Sequence, residues 1–282
     1  MSELTRNPKP EIRNPIIVAL DVSTKEEARE IVAELREEVG AFKIGLQLFT
    51  AHGAGFVREL TEMGAKIFLD LKFHDIPNTV ANAAIEATNL GVWMFNVHAL
   101  GGREMLERTV DLVRETVVKQ NIAQPKLIAV TVLTSSTAET LREIGIENEV
   151  LPQVLKLAKL TNDCGFDGVV ASPRETKAIR ENIENQNFLI VTPGIRVQSP
   201  KSKVQSPVVE AETSNVESQF SESEIQNLKS EIAADDQKRT LSASEAVENG
   251  ANFIVVGRPI LLAENRIKAV REILSEIKNR QR

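Results

Sequence analysis

The sequence predicts an α/β protein, a (β/α)8 or TIM barrel with a long polar insertion after strand 7. Three observations carry that reading. Short runs rich in Val, Ile and Leu recur eight times, nearly all separated by stretches of helical period. Charged residues Asp21, Lys43, Asp70, Lys72, Arg196 and Arg258 stand at or just after the C-terminal ends of these runs, the face on which barrel active sites form. The chain has 282 residues, 42% of them hydrophobic, a length at which α/β barrels fold as one domain. The competing architecture, a doubly wound open sheet, wants a Gly-rich turn after an early strand. Asp21-Val22-Ser23 is not one. We therefore expect one barrel domain over residues 1–282, with a polar tail at 1–14 and a flexible insertion at 197–236.

The first run is Ile16 to Leu20, ending in Asp21. Thr24 can cap the following helix, with Glu27 placed to complete a capping box. That helix repeats apolar residues at Ala28, Ile31, Val32 and Leu35. The second run, Ala41 to Ile44, contains Lys43, and helical residues around Phe56 to Met63 lead to the third, Ile67 to Leu71. Pro77 then suits the first turn of a helix. Further runs are Met94 to Val97, Leu127 to Val132, Gly168 to Ala171, Phe188 to Val191 and Phe253 to Val256. The last helix fills Ile267 to Ile277. Val197 to Asp236 breaks the pattern: it is rich in Ser, Glu, Gln and Asn, and its composition predicts a solvated segment. Only Glu222 to Ala234 could form a marginal helix.

Composition narrows the function classes. A net charge of -6 offers no basic footprint for nucleic acid. No apolar run approaches the length of a bilayer span. Met1 to Asn14 has no apolar segment of the signal-peptide kind. One cysteine, Cys164, excludes an intrachain disulfide framework and reads as a small buried residue in a reducing compartment. The expected localisation is cytoplasmic.

The chemistry concentrates in Ile67 to Thr79. Asp70 and Lys72 are two apart, so on a regular strand they share one face. Alone, such a pair equally suits a structural ion pair at the mouth of a sheet. Lys43, Asp70, Lys72 and Asp75 would form an alternating charge set if the loop brings Asp75 back. A charged lysine facing a substrate carbon can act as general acid. An aspartate beside a bound anion would disfavour the ground state until that anion left as a neutral molecule, which fits decarboxylation. His74 and His98 lack zinc-ligand spacing and read as packed residues, His52 as surface and Trp93 as core. Asp21 also suits a helix cap, Arg258 a surface arginine and Gly257 a tight turn.

Asp70-Leu71-Lys72-Phe73-His74-Asp75-Ile76-Pro77-Asn78-Thr79 closely resembles the signature of the orotidine 5'-phosphate decarboxylase family. Val18-Ala19-Leu20-Asp21, Asn96-Val97-His98-Ala99, Val130-Thr131-Val132-Leu133-Thr134-Ser135, Val191-Thr192-Pro193-Gly194-Ile195-Arg196 and Val256-Gly257-Arg258-Pro259 follow in the family's order. The resemblance implies a homodimer that converts orotidine 5'-phosphate to uridine 5'-phosphate and carbon dioxide, the last step of de novo pyrimidine synthesis, with no metal or cofactor. It implies Lys72 as proton donor to C6, Asp70 against the substrate carboxylate, and Lys43 and Asp75 completing the network, Asp75 from the partner subunit. Asp21 and Thr79 are implied as ribose contacts, Thr79 also from the partner, with Ile76 among the substrate-binding residues and Thr134 at the pyrimidine. Arg196, Gln237, Gly257 and Arg258 are implied as the phosphate-side group. Arginine suits bidentate phosphate contacts, and loops after strands 7 and 8 are a frequent barrel phosphate site.

Two alternatives stand beside this. A related metal-dependent sugar-phosphate aldolase or decarboxylase would share the D-x-K-x-x-D core but need magnesium. The Ile76 to Thr79 continuation and the Thr134 loop argue against it. A non-catalytic phosphate-ligand-binding barrel would be expected to have lost the charge set, and Lys43, Asp70, Lys72 and Asp75 are all present.

Overall fold

The computed structural model describes residues 14–196 and 240–280. Its first seven strands are β1 (Ile16–Ala19), β2 (Ala41–Gly45), β3 (Ile67–Phe73), β4 (Met94–His98), β5 (Lys126–Val130), β6 (Gly168–Val170) and β7 (Leu189–Thr192). A short parallel pair follows, β8 (Ile195–Arg196) with β9 (Leu241–Ser242), and then β10 (Phe253–Val256). β1 to β7 and β10 close into a barrel in which β1 pairs with both β2 and β10, every pairing parallel. Each of the eight predicted runs is one of these strands.

The helices lie between strands: α1 (Lys25–Leu35), α2 (Leu46–Glu62), α3 (Pro77–Asn89), α4 (Gly102–Gln120), α5 (Ala138–Glu143), α6 (Val150–Asp163), α7 (Thr176–Asn182), α8 (Ala243–Glu248), α9 (Arg258–Leu261) and α10 (Arg266–Arg280). Thr24 caps α1 by accepting the Glu27 N–H at 3.3 Å, but no reciprocal bond from the Glu27 side chain completes the box. Both halves of a capping box form instead at Thr137 with Thr140 on α5, and at Ser242 with Glu245 on α8. Pro77 opens α3 as its composition requires.

Alternation along the strands sorts the core into two layers. Ile17, Ala19, Ala41, Phe68, Met94, Ile128, Val191 and Val255 form one cluster, the barrel filling, and the intervening strand residues pack outward against the helices. The same period places Lys43 above Ala41 and Asp70 above Phe68 at the mouth. Trp93 meets Phe253 edge-on beside the filling. Cys164 is buried, and burial pushes its thiol up from its ordinary pKa.

Between β8 and β9 the chain runs through residues 197–239, so the insertion and its possible helix lie outside the described residues, as does the N-terminal tail up to residue 13. The ends of this stretch stand side by side, with Ile195 opposite Leu241 and Arg196 opposite Ser242.

Candidate active site

At the C-terminal mouth a cavity of about 240 Å³ opens among Ala19, Asp21, Lys43, Phe68, Asp70 and Lys72 on one side and Val130, Leu133, Thr134, Pro193, Val255 and Gly257 on the other. A wider groove of about 420 Å³ on α10 is lined by Lys268, Arg271, Glu272 and neighbours on one helix. It lacks the convergence of elements seen at the mouth, so the smaller cleft is the candidate site.

Asp70 is the hub. Its Oδ1 accepts a hydrogen bond from Lys72 Nζ at 2.7 Å and another from Asn96 Nδ2 at 2.7 Å. Its Oδ2 lies 3.6 Å from Lys43 Nζ, which reaches Asp21 Oδ1 at 3.3 Å. The chain of charge therefore runs Asp21, Lys43, Asp70, Lys72, alternating in sign. The Asp70 and Lys43 side chains are only 14% and 13% exposed, whereas that of Lys72 is 30% exposed. A carboxylate this far from water is held by two ammonium groups and an amide, as a buried charge must be.

The geometry corrects the reason for the Asp70–Lys72 encounter. β3 is not regular there. It pairs with β4 at Phe68↔Met94 and Leu69↔Phe95, and resumes only at Phe73↔Val97. Lys72 has φ 53, in the left-handed region that costs a side-chain-bearing residue about 1–2 kcal/mol. The two side chains meet across a bulge rather than by simple strand alternation. Such strain persists only where the surroundings hold it, and it clusters at functional sites.

Asp75 does not join this set within the chain. It is exposed, and its Oδ1 accepts its neighbour's backbone N–H, from Ile76, at 2.6 Å. Ile76 and Thr79 are exposed beside it at the start of α3. Gly257 lines the cavity, and Arg258 follows as an exposed residue at the first position of α9. Arg196 lies on β8 by its backbone, and Gln237 falls outside the described residues.

His98, next to this cluster, stacks at a tilt on His74 with ring centroids 5.4 Å apart. Burial, followed by repulsion from His74 and Lys72, pushes its pKa down to about 4. Its Nδ1 is buried with no hydrogen-bond partner among the described residues. Also among the described residues, no three His, Cys, Asp or Glu side chains converge as a metal site, and no helix is long and apolar enough to cross a membrane.

A family model described as orotidine 5'-phosphate decarboxylase / HUMPS family matches residues 14–218 and 198–273. The chain belongs to that family. An orotidine 5'-phosphate decarboxylase of Syntrophotalea carbinolica is 44% identical over 267 residues, spanning 95% of this chain and 96% of its own. Its counterpart from Moorella thermoacetica is 43% identical over 94% of this chain and 92% of its own. Among solved structures, the orotidine 5'-phosphate decarboxylase of Lactobacillus acidophilus is 36% identical with a TM-score of 0.72, covering 94% of this chain and 99% of that one. Of the residues that the decarboxylase resemblance implied, Asp21, Lys43, Asp70, Lys72, Thr134 and Gly257 share one cavity.

Sequence reading gave Asn96 no role, although it lies in one of the quoted motifs. It is fully buried and bonded to both Asp70 and Lys72. The available signal was an amide inside the apolar strand Met94-Phe95-Asn96-Val97, since a buried amide must find partners.

Proposed function

We propose that this protein decarboxylates orotidine 5'-phosphate to uridine 5'-phosphate, within pyrimidine synthesis in the cytoplasm, and that Lys72 delivers the proton. The observation that carries the reading is the Lys43–Asp70–Lys72 chain at the cavity mouth, with the lysine heads 3.6 and 2.7 Å from one carboxylate. The names and extent of the relatives support the substrate. The C6–carboxylate bond breaks, carbon dioxide leaves, and the electron pair stays on C6. The Lys72 ammonium gives that carbon its proton and is later recharged from solvent. Asp70 faces the departing carboxylate, so their repulsion is relieved as carbon dioxide forms, while Lys43 holds Asp70 and Asp21 in place.

On this reading Asp21 and Thr79 contact the ribose, Ile76 closes against the substrate and Thr134 reaches the pyrimidine. Arg196, Gln237, Gly257 and Arg258 take the phosphate. Asp75, Ile76 and Thr79 would serve the site of a partner subunit in a homodimer. Ile76 is 67% exposed and Leu133 at the cavity edge is 41% exposed, apolar surface that a second copy would cover.

The test is loss of the orotidine 5'-phosphate absorbance on adding the purified protein, with and without excess EDTA. Turnover that persists in EDTA is the expected result. Abolition by EDTA, or turnover only of a base-free sugar phosphate, would favour the metal-dependent branch of the family. No turnover of either would leave a binding barrel.

A further inference from the structure

We infer that Asn96 is a positioning residue: its amide clamps the left-handed backbone of Lys72 and the carboxylate of Asp70 in one geometry. The inference rests on the roles proposed above for these two residues. Asn96 is 0% exposed in the middle of β4, and both ends of its amide are engaged. Nδ2 donates to Asp70 Oδ1 at 2.7 Å, and Oδ1 accepts the Lys72 backbone N–H at 2.8 Å. Only this orientation works, because a flipped amide would set oxygen against the carboxylate and NH₂ against an N–H.

The bulge explains why an amide is needed. Between Leu69↔Phe95 and Phe73↔Val97, three residues of β3 stand against Asn96 alone. The Lys72 N–H, turned by φ 53, takes its bond from a side chain instead of the strand ladder. That bond secures a conformation that lysine avoids. The other bond stops the Asp70 carboxylate from rotating, keeping Oδ1 toward Lys72 Nζ and Oδ2 toward Lys43. Asn96 does not line the cavity, so it acts through the two residues it holds.

Asn96→Asp tests this by pH. The variant keeps size and the acceptor for the Lys72 N–H, but when ionised it opposes Asp70 and lacks the donor. Protonated, it donates an O–H and imitates asparagine. Burial and the like charge of Asp70 favour that protonated form as pH falls. We expect kcat at pH 8 to drop on the order of 100-fold, the cost of a misplaced catalytic group, with KM changing far less. The ratio of mutant to wild-type kcat should climb as pH is lowered to 6. Lys43, Asp70, Lys72, His74 and His98 surround the introduced carboxyl in both proteins, so a pH-dependent ratio reports that carboxyl and its coupling to Asp70.

A crystal structure of Asn96→Ala is the second arm, and it does not depend on activity. Lys72 should leave the left-handed region and the Asp70 carboxylate should turn. A mutant-to-wild-type kcat ratio in Asn96→Asp that stays flat from pH 6 to about pH 9.5, whether low or near one, or an unmoved Lys72 and Asp70 in Asn96→Ala would each overturn the inference. Lys72→Ala is assayed alongside. Wild-type turnover in that variant would remove the proton-donor assignment, and the clamp would still be judged by the crystal structure.

Discussion

The two ends of the barrel both bury charge, and they do so in opposite ways. At the mouth, Asp21, Lys43, Asp70 and Lys72 neutralise one another, and the backbone at Lys72 is held in a costly conformation. At the floor, Arg180 of α7 has no carboxylate partner among the described residues. Its guanidinium donates to Gly250 O at 2.9 Å, to Phe188 O and to Asn252 Oδ1, tying α7 to the starts of β7 and β10. Asn252 Oδ1 also accepts the Ile190 N–H at 2.8 Å. Burial lowers the Arg180 pKa without any countercharge. Gly250 has φ 102, and a Cβ there would come within 2.7 Å of Arg180 Cγ, so the chain gives way to this cation. The floor closes backbone ends with a charge, whereas the mouth keeps a lysine head at a cavity. On the proposed function, charge at the floor is stability and charge at the mouth is chemistry, and the left-handed lysine stands at the mouth.

The largest effect should come from pairing inactive subunits. If Asp75 serves the partner's mouth, Asp75→Asn and Lys72→Ala each lose most turnover, while mixing them equally restores about a quarter of wild-type activity, because half the dimers carry one intact site of two. No recovery after verified subunit exchange would confine the mouth to a single chain.

Arg258 sharpens the distinction within the mouth itself. Arg258→Ala should raise KM roughly 10- to 100-fold, the loss of a charge-assisted phosphate contact. A substrate lacking the phosphate should be insensitive to the change. Equal losses on both substrates would mean that Arg258 supports the fold or the chemistry instead.

The smallest effect concerns His98, where the mouth does carry a stability cost. A base whose folded pKa is depressed from 6.5 to about 4 refuses a proton that the unfolded chain accepts. Its contribution is neutral above pH 6.5 and increasingly destabilising as pH falls toward 4. The drop in Tm between pH 7 and pH 4.5 should therefore be shallower in His98→Asn than in wild type. Equal drops would contradict this.

What the sequence disclosed follows from the range of the interactions. The eight strands were legible because period and composition are local properties, and Pro77 and Thr24 marked their helices for the same reason. Lys43, Asp70 and Lys72 were legible as a set because strand ends converge in a barrel. The bulge that joins Asp70 to Lys72 was not, since the side chain that bonds the Lys72 N–H there is Asn96, 24 residues away along the chain. Arg180 gave no signal either: its partners at Gly250 and Asn252 lie 70 and 72 residues away. Asp75 was expected in the charge set if its loop folded back, and within one chain it remains at the surface.

The most direct test sets the two ends against each other by measuring kcat and Tm of Lys72→Ala and Arg180→Ala side by side. Lys72→Ala should lose at least about 10³-fold in kcat, within the range of a removed general acid, and keep its Tm close to wild type. Arg180→Ala should lose roughly 3 kcal/mol of stability through its orphaned carbonyls, and keep its kcat per folded molecule. Wild-type turnover in Lys72→Ala, or an Arg180→Ala protein that is fully stable but inactive, would contradict the division of labour between mouth and floor.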